Sequence, residues 1–271
     1  MAFPCLPRLP AALHSLGRAP ARHKGGRVVF LHIPKTAGSS VNRYFKRHLG
    51  SARSGGSVFF FDGMTARELA VAQARAERAR FIGGHFGGRI LAEIRRPDDL
   101  VFTFLREPAA RLRSHYSYDR THPDGTETAR RLALAEYVAS DETEALAATD
   151  NVMARQLAVA YDFAQSADMP LDAIAEAALG TLATLDFVGL VETIDDDLSA
   201  LAGLCGLPPP PRAPRVNATS RGHAGAEDAA ALRALAGPRL DADERVYRHV
   251  LALRAQMGQD RAERRQGAEP R

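Results

Sequence analysis

The segment PKTAGSS at 34–40 places one lysine among small and hydroxylated residues, between an apolar stretch and an amphipathic one. In such a loop, backbone N–H groups converge on an anion, and the N-terminus of a following helix adds positive partial charge. Lys35 and the hydroxyl groups of Thr36, Ser39 and Ser40 are further donors. The lysine precedes Gly38 instead of following a glycine, so this is not the GxxxxGK(S/T) nucleotide loop. The alternative is an ordinary glycine and serine turn at the start of a helix.

Lysine is rare in this chain. Among 36 basic residues only three are lysines, at positions 24, 35 and 46. A sequence of this kind uses arginine wherever either residue serves. Lys35 therefore indicates a task that suits a compact ammonium group, such as facing the charge that develops on a bridging oxygen.

A second group of anion-binding residues follows the apolar run LVFTFL. Arg106 leaves the carboxyl end of this predicted strand, where ligands bind in open α/β sheets, and its planar guanidinium suits a phosphate. Pro108 begins the next predicted helix, and Ser114 lies eight residues after Arg106. That spacing is about two helical turns, so Ser114 can reach the same group. Alone, either residue would be an ordinary surface side chain.

Histidine is the natural base for removing a proton from a hydroxyl group. His85, in RFIGGHFGG, follows a short predicted strand and is bracketed by glycines that allow a substrate to approach. His32, in the first strand, and His115, beside Ser114, are the alternatives. His85 can also be a loop histidine with a structural role only.

The two anion-binding segments carry a resemblance to a known family. HIPKTAGSS resembles the 5'-phosphosulfate-binding loop of the sulfotransferase superfamily, in the branch that includes the glycan 2-O-sulfotransferases. LREPxxRxxSxY resembles the element that holds the 3'-phosphate in that family. Weaker likenesses in DNVMARQLA, DFVGLVETIDDDLSAL, the segment at 217–220 and the tyrosine-containing last predicted helix extend the resemblance over about residues 27–255.

The resemblance implies transfer of a sulfuryl group from the co-substrate 3'-phosphoadenosine 5'-phosphosulfate to a hydroxyl group, with a carbohydrate as the expected acceptor. The implied donor site consists of Pro34, Lys35, Thr36, Ala37, Gly38, Ser39 and Ser40, with Arg106 and Ser114 at the 3'-phosphate. Lys35 matches the lysine that assists the leaving oxygen, and His85 stands near the position of the family's catalytic histidine. The glycan 2-O-sulfotransferases have paired histidines there, whereas Gly83 and Gly84 precede His85.

Two other functions fit a phosphate-binding loop. A P-loop kinase or nucleotidase needs Mg²⁺ and an acidic residue at a strand end, but LVFTFL ends in Leu-Arg and DFVGLV has no carboxylate until Glu192. A non-catalytic nucleotide-binding module is compatible with the motifs. The acidic run at 195–197 precedes an apolar helical pattern and is interpreted as a helix cap, so no metal is expected. Asn151 and Arg155 are expected either to face the acceptor or to brace the fold, and 217–221 is a candidate closing loop.

Alternating strand and helix patterns surround these residues and predict a single α/β domain, in which helices flank a central parallel sheet. The predicted strands are RVVFLHI, RFIGGHF, LVFTFL and DFVGLV. The predicted helices are SSVNRYFKRHL, with Ser39 or Ser40 as N-cap, ARELAVAQARAERAR, PAARLRSHYSYDR, an alanine-rich stretch to about 184, 195–204 and LDADERVYRHVLAL. The proline run at 208–215 is expected to be extended.

Composition sets the remaining expectations. With 271 residues and 45% hydrophobic content, the chain can bury a core; we expect a tail at 1–26, the domain at 27–256 and a charged tail at 257–271. The net charge is +4, and the first 61 residues contain no Asp or Glu, which favours an anionic ligand. No RNA-binding aromatic signature is present, so no nucleic-acid partner is expected. Two distant cysteines and no apolar run of about 20 residues predict a cytoplasmic protein without a transmembrane segment.

Overall fold

Five short strands form one sheet in which all neighbouring strands are parallel. They are β1 (Val28–Leu31), β2 (Ser57–Phe61), β3 (Phe81–His85), β4 (Leu100–Leu105) and β5 (Phe187–Leu190). Their order across the sheet is β2-β3-β1-β4-β5. The computed structural model describes residues 25–51, 56–211 and 226–266, and its side chains from 229 to 259 within the last range. The predicted α/β fold with a central parallel sheet is confirmed.

Twelve α-helices follow or connect the strands within the described ranges. They are α1 (Gly38–Leu49), α2 (Ala66–Ala76), α3 (Gly88–Ile94), α4 (Pro108–Thr121), α5 (Glu127–Arg131), α6 (Leu134–Ala139), α7 (Thr143–Thr149), α8 (Val152–Ala158), α9 (Leu171–Leu182), α10 (Ile194–Leu204), α11 (Ala226–Ala236) and α12 (Asp241–Gln266). Three 3₁₀ turns lie at Phe163–Gln165, Val191–Thr193 and Gly237–Leu240. None of these helices is long and apolar enough to cross a bilayer.

The sheet is buried on both faces, as its nearly continuous apolar strands require. In β1 the side chains alternate: Val28 and Phe30 pack with α1 and α10, whereas Val29 and Leu31 pack on the opposite face with α8, α9 and α12. This alternation follows from the two-residue period of a strand. Helices therefore cover both faces of the sheet, and polar residues are accommodated at the ends of the strands.

The strand order creates one crevice at the carboxyl edge of the sheet. After β1 the chain crosses to β2 on one side, whereas after β4 it crosses to β5 on the other. Adjacent strands whose connections diverge leave a gap between them, and this is where ligands bind in open α/β sheets. The loop after β1 and the first residues after β4 border this gap, so Lys35 and Arg106 meet there.

The structure departs from the sequence-based prediction in several elements. β2 and α3 were not predicted, and α12 continues to Gln266, beyond the predicted boundary at 256. The N-cap of α1 is Ala37, so the predicted Ser39 or Ser40 cap is wrong, because the helix begins already at Gly38. Residues 1–24, 212–215 and 217–221 lie outside the described residues.

Candidate active site

The loop after β1 turns sharply into α1 through two non-glycine residues in the left-handed region. Lys35 has a φ of 70° and Ala37 a φ of 63°, a conformation that costs about 1–3 kcal/mol for each residue. Ala37 is the N-cap of α1, but no side chain caps the helix, and its first turn has no acidic residue. A left-handed residue followed by a helical one turns successive N–H groups to the same side, which forms an anion-binding concavity. The loop therefore has a backbone geometry that suits an anion, and no side chain occupies the helix N-terminus.

The loop residues differ in what they can offer to a ligand. Ser39 is exposed and Ser40 is half-buried, so both hydroxyl groups are accessible. Thr36 is fully buried and its hydroxyl donates to the carbonyl oxygen of Ile33 over 2.7 Å. Its side chain therefore braces the loop, and it has only its backbone N–H to offer. Pro34 is buried and has no N–H group.

Position 38 must be glycine because the ring of His32 packs directly against it. A Cβ atom added at Gly38 would lie 1.6 Å from Nε2 of His32 and 2.1 Å from its Cδ2. The imidazole of His32 therefore lies directly against the first residue of α1. This contact fixes the loop between the end of β1 and the helix, because any larger residue would displace the ring.

Arg106 reaches the same loop from the next strand. It follows β4 directly, and its Nη1 donates to the carbonyl oxygen of Lys35 over 3.3 Å. The next residue, Glu107, caps α4 by accepting from the N–H groups of Ala109 and Ala110. Glu192 in turn accepts from the N–H group of Glu107 over 2.9 Å. The backbone at Arg106 is thus held in place beside the crevice. Its half-buried guanidinium has N–H donors beyond the one that contacts Lys35.

The helix after Arg106 presents Ser114 on the side that faces the loop. Tyr118 is four residues further along α4, so the two side chains share a helix face. The ammonium group of Lys35 lies 3.9 Å from the centre of the Tyr118 ring. Ser114 is half-buried. The structure therefore brings Lys35 and Arg106 into contact and places Ser114 on the helix face that contacts Lys35.

Lys35 stands in a region of mixed charge. Burial lowers the pKa of its ammonium group; nearby Asp119 opposes this, while Arg106 and Arg111 lower the pKa further. The carboxyl group of Asp119 has a raised pKa, chiefly because it is buried. Positive charge therefore dominates around Lys35, as an anionic ligand requires.

His85 ends β3, beside the loop, in a defined protonation state. Its Nδ1 lies 3.0 Å from the carbonyl oxygen of His32. A carbonyl only accepts, so Nδ1 carries the proton and Nε2 has a free lone pair. Burial lowers the pKa of His85, more than the hydrogen bond to His32 raises it. The imidazole is therefore neutral at neutral pH and oriented to accept a proton at Nε2.

The two alternative histidines are held in contacts within the fold. The His32 ring lies 4.3 Å from the His85 ring, and its Nδ1 lies 3.4 Å from the amide nitrogen of Asn42. His115 is buried, and Nη1 of the fully buried Arg111 donates to its Nδ1 over 3.1 Å. Burial is the main cause that holds the pKa of both histidines well below the usual value. These contacts favour His85 as the base.

The glycines around His85 are required by close packing of the backbone. Gly84 has a φ of 143°, and a Cβ atom there would lie 1.8 Å from the carbonyl oxygen of Phe60. Gly87 would place a Cβ atom 2.3 Å from the carbonyl oxygen of Val159. The physical reason for these glycines is therefore the close packing of β3 on β2 and of the following loop on α8.

Asn151 and Arg155 brace the helical layer. Both are buried. The Asn151 side-chain oxygen accepts from the N–H group of Ala242 over 2.8 Å at the start of α12. Arg155 bonds the backbone and carboxylate of Asp150. Of the two expectations for this pair, the structure supports bracing.

Asp197, in the acidic first turn of α10, also has an internal role. Asp197 Oδ2 accepts from the N–H group of Leu190 over 2.7 Å and from the hydroxyl group of Thr193 over 2.7 Å. It also pairs with Arg254 over 2.8 Å. Across the described parts of the chain, no group of three or more His, Cys, Asp or Glu side chains is arranged to hold a metal ion.

Sequence reasoning missed three residues that surround the site. Tyr161 places its ring 5.4 Å from that of His85, Asp119 interacts with Lys35, and Gln156 bonds the carbonyl oxygen of His32. Only Asp119 carried a local signal, four residues after His115 on one helix face. The other two reach the site from distant segments.

In comparisons with known proteins, no family model matches the chain, and no curated protein matches it at a significant level.

Proposed function

We propose that this protein is a sulfotransferase that moves a sulfuryl group from 3'-phosphoadenosine 5'-phosphosulfate to a hydroxyl group. The observation that carries the proposal is the contact between Arg106 and the carbonyl oxygen of Lys35. It joins the two segments that resemble the two phosphate-binding elements of one donor, and it lies at the crevice where α/β sheets bind ligands.

The residues present fit this donor. The uncapped N-terminus of α1, the left-handed turn at Ala37 and the hydroxyl groups of Ser39 and Ser40 suit the phosphosulfate end. Arg106, with Ser114 on the following helix, suits the 3'-phosphate. The sulfuryl group on this nucleotide supplies an electrophilic sulfur with a good leaving group.

The roles of the two proposed catalytic residues follow from their charge states. His85 Nε2 takes the proton of the acceptor hydroxyl while the acceptor oxygen bonds to sulfur. Lys35 Nζ faces the bridging oxygen and offsets the negative charge that this oxygen gains as its bond to sulfur breaks. Its resting contact with the Tyr118 ring keeps the ammonium near the loop before the donor binds.

The kinase alternative has weaker support. Glu192, the carboxylate that follows β5, holds the N–H group of Glu107. This contact occupies it in positioning α4. A nucleotide-binding module without catalysis would need neither the neutral His85 nor the unusual lysine, so both features favour an enzyme.

A carbohydrate hydroxyl is the proposed acceptor, on resemblance alone, and the cytoplasm is the proposed compartment. The experiment that tests the function is transfer of radiolabelled sulfate from the donor to panels of glycans, lipids and small alcohols, with the Lys35→Ala and His85→Ala variants alongside. Calorimetric titration with adenosine 3',5'-bisphosphate tests the donor site separately. Absence of both binding and transfer would refute the proposal.

A further inference from the structure

Gln156 is a fully buried polar residue on α8 that contacts the backbone on both sides of His85. Its Nε2 donates to the carbonyl oxygen of His32 over 3.0 Å and to that of Phe86 over 3.0 Å. These partners are 124 and 70 positions away in the sequence. The side chain is 0% exposed, so these bonds do not compete with solvent.

The orientation of this amide is fixed by chemistry. Both neighbours at Nε2 are carbonyl oxygens, which only accept, so exchanging the amide oxygen and nitrogen would set three acceptors against one another. Oε1 has no hydrogen-bond partner. Leaving a buried acceptor unpaired costs about 1–3 kcal/mol. The residue therefore retains a polar group at a cost, which the two donated bonds must offset.

The carbonyl oxygen of His32 accepts two hydrogen bonds, one from Gln156 and one from Nδ1 of His85. An oxygen with two lone pairs is then fully used. Rotation of this peptide would break both bonds at once. Gln156 thus fixes the acceptor that holds the His85 proton on Nδ1.

The segment after His85 is held against α8 at the same place. A Cβ atom at Gly88 would lie 2.3 Å from the carbonyl oxygen of Leu157. The N–H group of Arg89 donates to the carbonyl oxygen of Val159 over 3.1 Å. This close packing brings Phe86 within reach of Gln156, so α8 anchors both residues that flank the imidazole in space.

We infer that Gln156 is a positioning residue, which sets the tautomer of His85 through the carbonyl oxygen of His32. The inference rests on the proposed function, in which Nε2 of His85 accepts the proton. Without the Gln156 amide, the His32 peptide is free to turn, and the proton is free to move to Nε2, where it blocks the base. Gln156 touches neither donor nor acceptor in this role.

The test is a tautomer measurement on the full-length protein with ¹⁵N-labelled histidine, in the absence of any nucleotide. The His85→Gln spectrum identifies the signals of His85. In the wild type we expect a protonated Nδ1 and an unprotonated Nε2. Gln156→Met, of similar length but without a donor, should move His85 toward the Nε2–H form. It should lower kcat about 10- to 100-fold, as for other groups that orient a functional histidine, with the donor KM nearly unchanged.

Gln165→Met is the matched control, because Gln165 also has a buried, unpartnered Oε1 but donates to Asp162. It should leave the His85 tautomer unchanged. If Gln156→Met does not fold, Gln156→Leu replaces it, since leucine also lacks a donor.

The outcomes separate the two proposals. An Nε2–H tautomer in the wild type, or an unchanged tautomer in a folded Gln156 variant, overturns the positioning role. A changed tautomer with unchanged kcat also overturns it. If the wild type transfers no sulfate but its tautomer still depends on Gln156, the proposed function fails and the structural coupling stands.

Discussion

Nη1 of Arg106 lies 3.3 Å from the carbonyl oxygen of Lys35, so a residue after β4 holds the loop after β1. One guanidinium therefore supports a left-handed loop residue and has further donors toward the crevice. The two segments that resemble separate parts of a nucleotide site are thus physically coupled.

Replacing Arg106 should weaken nucleotide binding more than it weakens the fold. Arg106→Ala removes a charge-assisted contact worth about 1.5–3 kcal/mol, so affinity for adenosine 3',5'-bisphosphate should fall about 10- to 150-fold by calorimetry. Arg95→Ala is the control, because Arg95 bonds Thr184 near the opposite edge of the sheet. Unchanged affinity in Arg106→Ala would remove this residue from the site.

Lys35→Arg should fail almost as badly as Lys35→Ala. A guanidinium keeps the charge but not the compact shape or the exchangeable proton, so we expect kcat to fall at least about 100-fold in both variants. Lys46→Ala is the control, because Lys46 lies in the last turn of α1, away from the loop, and its ammonium group packs over the ring of Phe59 in β2. Near-normal turnover by Lys35→Arg would show that charge alone suffices.

The rate of sulfate transfer should fall as the pH drops below neutrality. Burial lowers the pKa of His85, so its Nε2 stays unprotonated at neutral pH and becomes protonated below about pH 6.5. The kcat profile should therefore have an acid limb of one proton, and it should fall again at alkaline pH where Lys35, whose pKa burial lowers, loses its proton. His48→Gln should keep this profile and His85→Gln should lose most activity. An acid limb above pH 7 would contradict the neutral base.

Stability should decline as the pH falls from about 7.5 to 6.0. The pKa values of His32, His85 and His115 are lowered in the folded state, so the unfolded chain, with values near 6.5, binds more protons there. Burial raises the pKa values of Asp62, Asp119 and Asp243, the last to about 6. These shifts act in the opposite direction, but because Asp243 titrates at the acid end of this range, the histidines dominate in its upper part. Urea unfolding at both pH values measures the slope, and His115→Leu should reduce it. A slope of opposite sign would show that the histidines are not held neutral.

Adding one methyl group at Gly38 should disrupt the site. A Cβ atom there overlaps the His32 ring, so Gly38→Ala should displace the ring, destabilise the protein and abolish nucleotide binding. Gly180→Ala is the control, because a Cβ atom at Gly180 in α9 has no neighbour within 4 Å. That variant should be as stable as the wild type or more so, by up to about 1 kcal/mol. Thermal unfolding of both variants measures the contrast.

The elements with strong local signals were predicted well. LVFTFL became β4 over the same residues, because six consecutive buried side chains leave no other interpretation. Pro108 was predicted to begin α4 and does so. β2 was not predicted, because its alternation between buried and exposed positions covers only five residues. The N-cap of α1 was misplaced, because serine preference is a local signal and the left-handed turn at Ala37 is set by the loop.

The candidate site was predictable where a residue suited to binding an anion follows a recognisable strand. Lys35 and Arg106 lie at strand ends, and the strand order brings those ends together. The contribution of Gln156 was not predictable, because its partners are far away in the sequence and its neighbours on α8 are all buried apolar residues or braces. The buried hydroxyl of Thr36 illustrates the same limit, since its bond to Ile33 depends on loop geometry.

The central position of β1 divides the crevice between two flanks. On the proposed function, β4 supplies the group for the far phosphate, and β3 supplies the base from the other side. New acceptors could then arise through changes near β3 and the start of α3, while the nucleotide-binding flank stays as it is. On that function, one fold can serve different acceptor hydroxyl groups while it uses the same sulfate donor.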